Sequence, residues 1–207
     1  MRRATRHLWL LALLGTLMLA LPAADAQAGC GGVRYVRAKK KPKHGRAPLA
    51  IGDSSMLLAM DNLAKLGFNV NAHGCRGMDE GLAILRKRKH DGTLPHLVVM
   101  ALGTDFSVKR SQIKRALRYL GPDRVLGLVT PWELGGHAGS DAKTVRAAGK
   151  TWKDRVKVLD WVKFSRGHGS WFQPDGVHLT QKGARAFAKL FKKALPYAQP
   201  PPPPPPA

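Results

Sequence analysis

The stretch "IGDSSM", Ile51 to Met56, decides how this chain is read. An apolar run from Ala47 to Ile51 stops at Gly52-Asp53-Ser54, and Met56, Leu57, Met60 and Leu63 then recur at helical spacing. The pattern is a strand handing over to a helix, with the Ser54 hydroxyl at the helix entrance. Taken alone, these residues read first as a helix cap, because Ser and Asp accept hydrogen bonds from the N–H groups that a helix start leaves unpaired. A nucleophile on the strand-to-helix turn is the alternative. The rest of the chain decides between them.

The alternation continues downstream. Apolar strand candidates are 48–51, 68–72, 96–102, 124–130 and 155–159, and helix candidates fill 55–66, 77–89, 109–120, 141–151 and 180–194. "HLVVMAL", residues 96–102, is a continuous apolar run, as expected of a strand covered on both faces. Ile113, Ala116, Leu117 and Leu120 give one helix its buried stripe, which Gly121-Pro122 ends. Five strands alternating with helices predict a three-layer α/β/α sandwich around a five-stranded parallel sheet.

In such sheets ligands bind beyond the carboxyl ends of the strands. The residues found there are Gly52-Asp53-Ser54, then "NAHGCRG" (71–77), Gly103-Thr104-Asp105, "TPWELGGHAG" (130–139) and, through a further loop, "WFQPDGVHLT" (171–180). Polar and glycine residues collect along one edge. Asp175-Gly176-Val177-His178 puts a carboxylate three residues before an imidazole, ahead of a helix that Thr180 can cap. The aspartate can hold one ring nitrogen while the other faces outward, and Ser54 then completes a nucleophile, base and orienter. An isolated Asp-x-x-His reads more simply as a turn cap beside a surface histidine; its position relative to Gly52-Asp53-Ser54 favours the catalytic reading. Trp132 and Trp171 are open to two roles, stacking on a sugar ring or packing. His73, His96, His137 and His168 lack ligand-like spacing and read as surface or packing residues.

These blocks resemble the GDSL-type, or SGNH, hydrolase superfamily over about residues 48–195. "GDS" matches its nucleophile block, "NAHGCRG" its glycine block, "LGTD" its third block and "DGVHL" its acid and base block. Within it, "GDSSM", "GCR" and "WFQPDGVHLT" are most similar to the extracellular SGNH domain of peptidoglycan O-acetyltransferases and secreted bacterial relatives. The resemblance implies a flavodoxin-like fold and an ester-cleaving or acyl-transferring site without metal or cofactor. It implies that Ser54 attacks an ester carbonyl, that His178 takes its proton and that Asp175 orients the imidazole. The N–H groups of Ser54 and of the loop at Gly74 would hold the oxyanion. One position departs from the pattern: Asp105 stands where the family has an asparagine that donates to the oxyanion. An ionised carboxylate only accepts, so a protonated Asp105, Thr104 or a backbone N–H must substitute, or the site is weak. The expected function is a serine esterase or acyltransferase acting on O-acyl, most simply acetyl, esters of cell-envelope carbohydrate. The alternative is a weak or inactive SGNH module that binds cell-wall polyanions.

The ends set the context. Arg2, Arg3 and Arg6 precede 14 uncharged residues, Leu8–Leu21, and then small residues around Ala24 to Ala28. That order predicts a secretory signal over 1–26, too short to span a bilayer, which takes roughly 20 apolar residues. The mature protein is expected outside the cytoplasm, without stable membrane insertion. Gln27 stands where a lipid-attachment signal has an aliphatic residue, which argues against lipidation at Cys30. Residues 27–46 read as a flexible basic leader, 47–197 as the hydrolase-like domain and 198–207 as a polyproline tail. The 207 residues carry a formal charge of +22, or +20 without residues 1–26. Anionic wall polymers are the expected electrostatic partners of a monomer. Nothing resembling a zinc finger, RNA-binding motif or helix-turn-helix accompanies the charge, so specific nucleic-acid binding is not expected. Export permits a disulfide between Cys30 and Cys75, the two cysteines of the chain; two free thiols are the other possibility.

Overall fold

The computed structural model describes residues 30–200. The signal segment expected over 1–26, and all but the start of the polyproline tail, lie outside the described residues. Six strands form one sheet in the order β1-β3-β2-β4-β5-β6: β1 Arg34–Val36, β2 Leu49–Gly52, β3 Asn69–Ala72, β4 Leu97–Ala101, β5 Val125–Val129 and β6 Val156–Leu159. Strands β2 to β6 are parallel, and β1 runs antiparallel along β3.

The central strand shows why its sequence is apolar throughout. Leu97, Val99 and Ala101 of β4 enter one core, and Val98 and Met100 enter the other. Successive side chains of a strand point to opposite faces, so a strand covered on both sides has no polar face. The first core packs against α1 (Met60–Leu66) and α6 (Gln181–Phe191), with Leu63, Phe187 and Phe191 filling it. The second packs against α2 (Met78–His90), α3 (Arg110–Leu120) and α4 (Ser140–Thr151) through Leu82, Ile113, Ala116 and Val145. Asp79 and Glu80 begin α2 and Lys87, Arg88 and Lys89 end it, the charge order that a helix dipole favours.

The structure corrects three expectations. The sheet has six strands rather than five, and the sixth comes from the stretch read as a flexible leader. Arg34-Tyr35-Val36 pairs with Ala72-Asn71-Val70. The chain is then tied down further, by Ala38 N–H to Asn69 Oδ1 at 3.0 Å and Lys39 N–H to the Ala64 carbonyl at 2.8 Å. Cys30 and Cys75 are bridged, which fixes the start of this segment against the loop after β3. The first helix opens as a 3-10 turn, Ser54–Ala59, before α1 begins. The loop after β6 contains a short helix, α5 (Trp161–Ser165), whose Asp160 cap accepts from Lys163 N–H at 3.0 Å.

Candidate active site

Asp53 organises the turn after β2. It is fully buried, and its Oδ1 accepts from Ser55 N–H at 3.0 Å and from the Ser55 hydroxyl at 2.6 Å. Its Oδ2 accepts from Thr104 N–H at 3.2 Å, tying the turn to the loop after β4. Burial pushes the Asp53 carboxyl above its ordinary value, against these hydrogen bonds from Ser55 and Thr104. The capping reading and the nucleophile reading are thus divided between neighbours. Asp53 caps the 3-10 turn, and Ser55 gives its hydroxyl to Asp53. Ser54 is only partly buried, and among the described residues its hydroxyl has no hydrogen-bond partner.

The loop before α6 carries the second half. His178 Nδ1 lies 2.7 Å from Asp175 Oδ2, while Asp175 Oδ1 accepts from the N–H groups of Val177 and His178, both at 2.9 Å. Although what burial it has opposes the charge, the Val177 and His178 N–H groups and the His178 ring hold the Asp175 carboxyl below its ordinary value. Thr180 caps α6 as the sequence suggested, accepting from Gly183 N–H at 3.2 Å. Gly183 has to be glycine, because a Cβ there would come within 1.9 Å of the Trp171 carbonyl oxygen. Among the described residues no hydrogen bond joins Ser54 to His178. Catalytic contacts of this kind are often long until substrate binds.

Gly74 lies on the loop after β3, pressed against the N-terminal segment. A Cβ there would meet the Cys30 carbonyl oxygen at 2.2 Å. Its neighbour Cys75 takes a left-handed φ of 55°, held there by the bridge to Cys30. Beneath this loop is a residue that sequence reasoning passed over. Arg76 is 1% exposed, and its guanidinium donates to the Gly52 carbonyl at 3.2 Å, the Asn71 carbonyl at 2.9 Å and Glu80 Oε1 at 2.9 Å. It joins the carboxyl ends of β2 and β3. Partial burial works against the Glu80 charge, but Arg76 and His73 keep its carboxyl below the ordinary value. A lone arginine inside a glycine-rich block was the signal available.

The loop after β4 differs from expectation in one respect. Thr104 N–H is committed to Asp53 and its carbonyl to Leu134 N–H, so the Thr104 amide is not free to hold an oxyanion. Asp105 follows with Oδ2 buried and without a hydrogen-bond partner. Burial pushes its carboxyl above the ordinary value, partly offset by His178 nearby. The tryptophans are packing residues here. Trp171 stacks on Trp161 at 5.8 Å and on His168 at 3.9 Å, which leaves its ring committed. Trp132 donates its indole N–H to Ser165 Oγ at 2.8 Å and meets Phe172 edge-on at 6.0 Å. A cavity of about 10 Å³ lies beside Asp53, Trp132 and Val177. That is room for about one water.

No known family model matches the chain. In sequence it is 29% identical to YrhL of Bacillus subtilis over 161 residues, covering 76% of this chain and 25% of YrhL. It is 26% identical to the peptidoglycan O-acetyltransferase OatA of Listeria monocytogenes over 149 residues, covering 71% of this chain and 24% of OatA. The chain therefore spans a quarter or less of the length of the curated relatives it matches. Among solved structures it superposes on the C-terminal catalytic domain of Streptococcus pneumoniae OatA with a TM-score of 0.61 at 22% identity, covering 74% of this chain and 94% of that one. A lipase/acylhydrolase from Enterococcus faecalis gives a TM-score of 0.55 at 16% identity, covering 73% of this chain and 95% of that one. The fold is that of the SGNH hydrolases, and the chain resembles peptidoglycan O-acetyltransferases in sequence.

Proposed function

We propose that this chain is a secreted serine enzyme that cleaves or transfers short O-acyl groups, acetyl first among them, on cell-envelope carbohydrate. The observation that carries the reading is the 2.7 Å contact between Asp175 and the inner nitrogen of His178, on the sheet edge that also bears the unpaired Ser54 hydroxyl. Asp175 is held ionised, so Nδ1 carries the proton and Nε2 is left as the base. Ser54 Oγ attacks the ester carbonyl as its proton passes to His178 Nε2. The tetrahedral oxyanion is held by Ser54 N–H and an N–H of the Gly74 loop. Collapse expels the sugar oxygen, which takes the proton back from His178, and leaves the acyl group on Ser54. Water or a second sugar hydroxyl, deprotonated by His178, then accepts the acyl group.

A second reading, an SGNH fold that binds wall polymers without vigorous catalysis, draws on one observation. Asp105 places a buried, unpartnered carboxyl oxygen close to His178, where ionisation would oppose a developing oxyanion. Acetyl-ester hydrolysis by the purified chain separates the two. On the first reading, Ser54→Ala abolishes turnover and covalent labelling by a serine-directed sulfonyl fluoride, whereas Ser55→Ala leaves labelling in place. Labelling that survives Ser54→Ala rules out the assignment.

A further inference from the structure

A cavity of about 890 Å³ lies away from Ser54, along the outer edge of β6. β6 ends the sheet, so no strand covers this edge. Its backbone direction follows from the ladder to β5. Leu126 N–H bonds the Arg155 carbonyl and Thr130 N–H bonds the Leu159 carbonyl, and Lys157 pairs with Gly127 between them. The peptide groups of 155, 157 and 159 therefore face β5, and those of Val156 and Val158 face outward. Val156 N–H is taken by the Trp152 carbonyl. The Val156 carbonyl and both backbone groups of Val158 have no partner among the described residues. An unpaired edge of this kind is a template for another strand.

The side chains around the edge select what can bind. Val156, Val158 and Phe164 form part of an apolar lining. Lys150, Lys157, Lys163 and Lys193 surround it, and none of the four is in an ion pair among the described residues. Two of them rest over rings, Lys157 over Tyr197 at 4.9 Å and Lys193 over Phe164 at 5.2 Å. The one carboxylate in the lining, Asp160, is already engaged by Arg146 at 2.8 and 2.9 Å. The groove thus offers two kinds of complementarity: uncompensated cations for acidic groups, and strand-edge amides for a peptide backbone.

We infer that this groove docks an extended acidic polypeptide segment, which adds to the sheet as a seventh strand beside β6. Main-chain pairing to Val156 and Val158 supplies the register. Acidic side chains of the segment meet Lys150 on one face of the sheet and Lys157 and Lys193 on the other. A polysaccharide or polyphosphate could satisfy the lysines but has no repeating amide to pair with Val158. A second copy of the chain, with a formal charge of +22, is repelled. The chain's own prolines at 200–206 lack the amide hydrogens that a ladder needs.

The test is a titration of the 15N-labelled chain with the peptide acetyl-(Glu-Glu-Val)₂-amide, which as a strand carries Glu on both faces, followed by amide shifts and affinity. Two versions N-methylated on alternate residues and inorganic polyphosphate serve as comparisons. Binding is expected to move the amides of Val156–Asp160. One methylated version, the one that blocks the groups facing β6, should bind about tenfold or more weakly, and the other should bind like the parent. Lys150→Glu with Lys193→Glu, both exposed, should weaken the parent peptide to a similar extent. Equal binding by both methylated peptides overturns the inference. So does polyphosphate that shifts the same amides as tightly as the peptide, which would make the groove a polyanion site. No saturable peptide binding overturns it as well.

Discussion

Removing the Cys30–Cys75 bridge tests how far the N-terminal segment belongs to the folded unit. The cysteines are 45 residues apart in sequence. Closing a loop of that length in the unfolded chain corresponds to about 4 kcal/mol at 25 °C on the chain-entropy account. Part of this is returned on reduction, because Cys75 can leave its left-handed conformation, which costs a non-glycine residue about 1 kcal/mol. The expected net loss for the Cys30→Ser, Cys75→Ser variant is therefore about 3 kcal/mol. Against a typical total of about 5–15 kcal/mol, that is a substantial fraction, and it corresponds to a fall in Tm of roughly 6–12 °C. The loss should also be local. β1 is three residues long with one neighbour, too short to hold its own place once its tether is cut. Gly74 would lose the Cys30 backbone that it packs against. Urea unfolding gives the magnitude, and hydrogen exchange at Arg34, Val36, Val70 and Ala72, whose backbone groups face each other across the β1–β3 ladder, gives the location. The reasoning fails if the variant unfolds within about 1 kcal/mol of the parent and the β1 amides stay protected.

Asp105→Asn should raise turnover of acetyl esters, and it should stabilise the protein at neutral pH. A carboxyl raised by burial favours the protonated form when folded, so its contribution is intact below the ordinary value of 3.8 and is lost as pH rises through its folded value. The gain from Asn should shrink towards acid pH when urea midpoints are compared; a gain that grows towards acid has the wrong sign. Asp175→Asn should reduce acetyl-ester turnover by about 10³–10⁴ by letting the imidazole take the wrong tautomer, with little change in Tm because the loop is exposed; turnover within tenfold of the parent contradicts the orienting role. Arg76→Met should cost about 3 kcal/mol in urea unfolding, since the bonds to Gly52 and Asn71 are lost and two strand ends separate; an unchanged midpoint would show that these bonds add nothing net. Raising salt from 0.05 to about 0.5 M should release the chain from isolated cell walls while leaving turnover of a soluble acetyl ester nearly constant, because exposed charges are screened beyond about 10 Å at 0.1 M salt; adsorption indifferent to salt would require a specific sugar site instead.

The parallel strands were legible because burial on both faces leaves a strand no choice of composition. "HLVVMAL" can hardly be anything else, and β4 occupies five of its seven residues. Part of the candidate site was legible for a related reason. Gly52-Asp53-Ser54 and Gly103-Thr104-Asp105 stand just past the end of a buried run, whereas Asp175 and His178 lie on the loop before α6, well beyond β6, and only their Asp-x-x-His spacing marked them. What could not be read is whatever depends on a partner distant in sequence. Arg34-Tyr35-Val36 lies among lysines, glycines and a proline, and becomes a strand through the edge of β3 and the bridge at Cys30. Arg76 belongs to a residue type that is exposed by default. Its burial follows from two carbonyls at the ends of β2 and β3 that only the assembled sheet brings together. Trp171 had the composition of a sugar platform, but Trp161 and His168, from the turn before it, occupy its ring. The same logic governs the pair Ser54 and Ser55. Gly-Asp-Ser singles out Ser54, and the structure sets the two apart through Asp53, which accepts both the N–H and the hydroxyl of Ser55, while the Ser54 hydroxyl has no partner among the described residues.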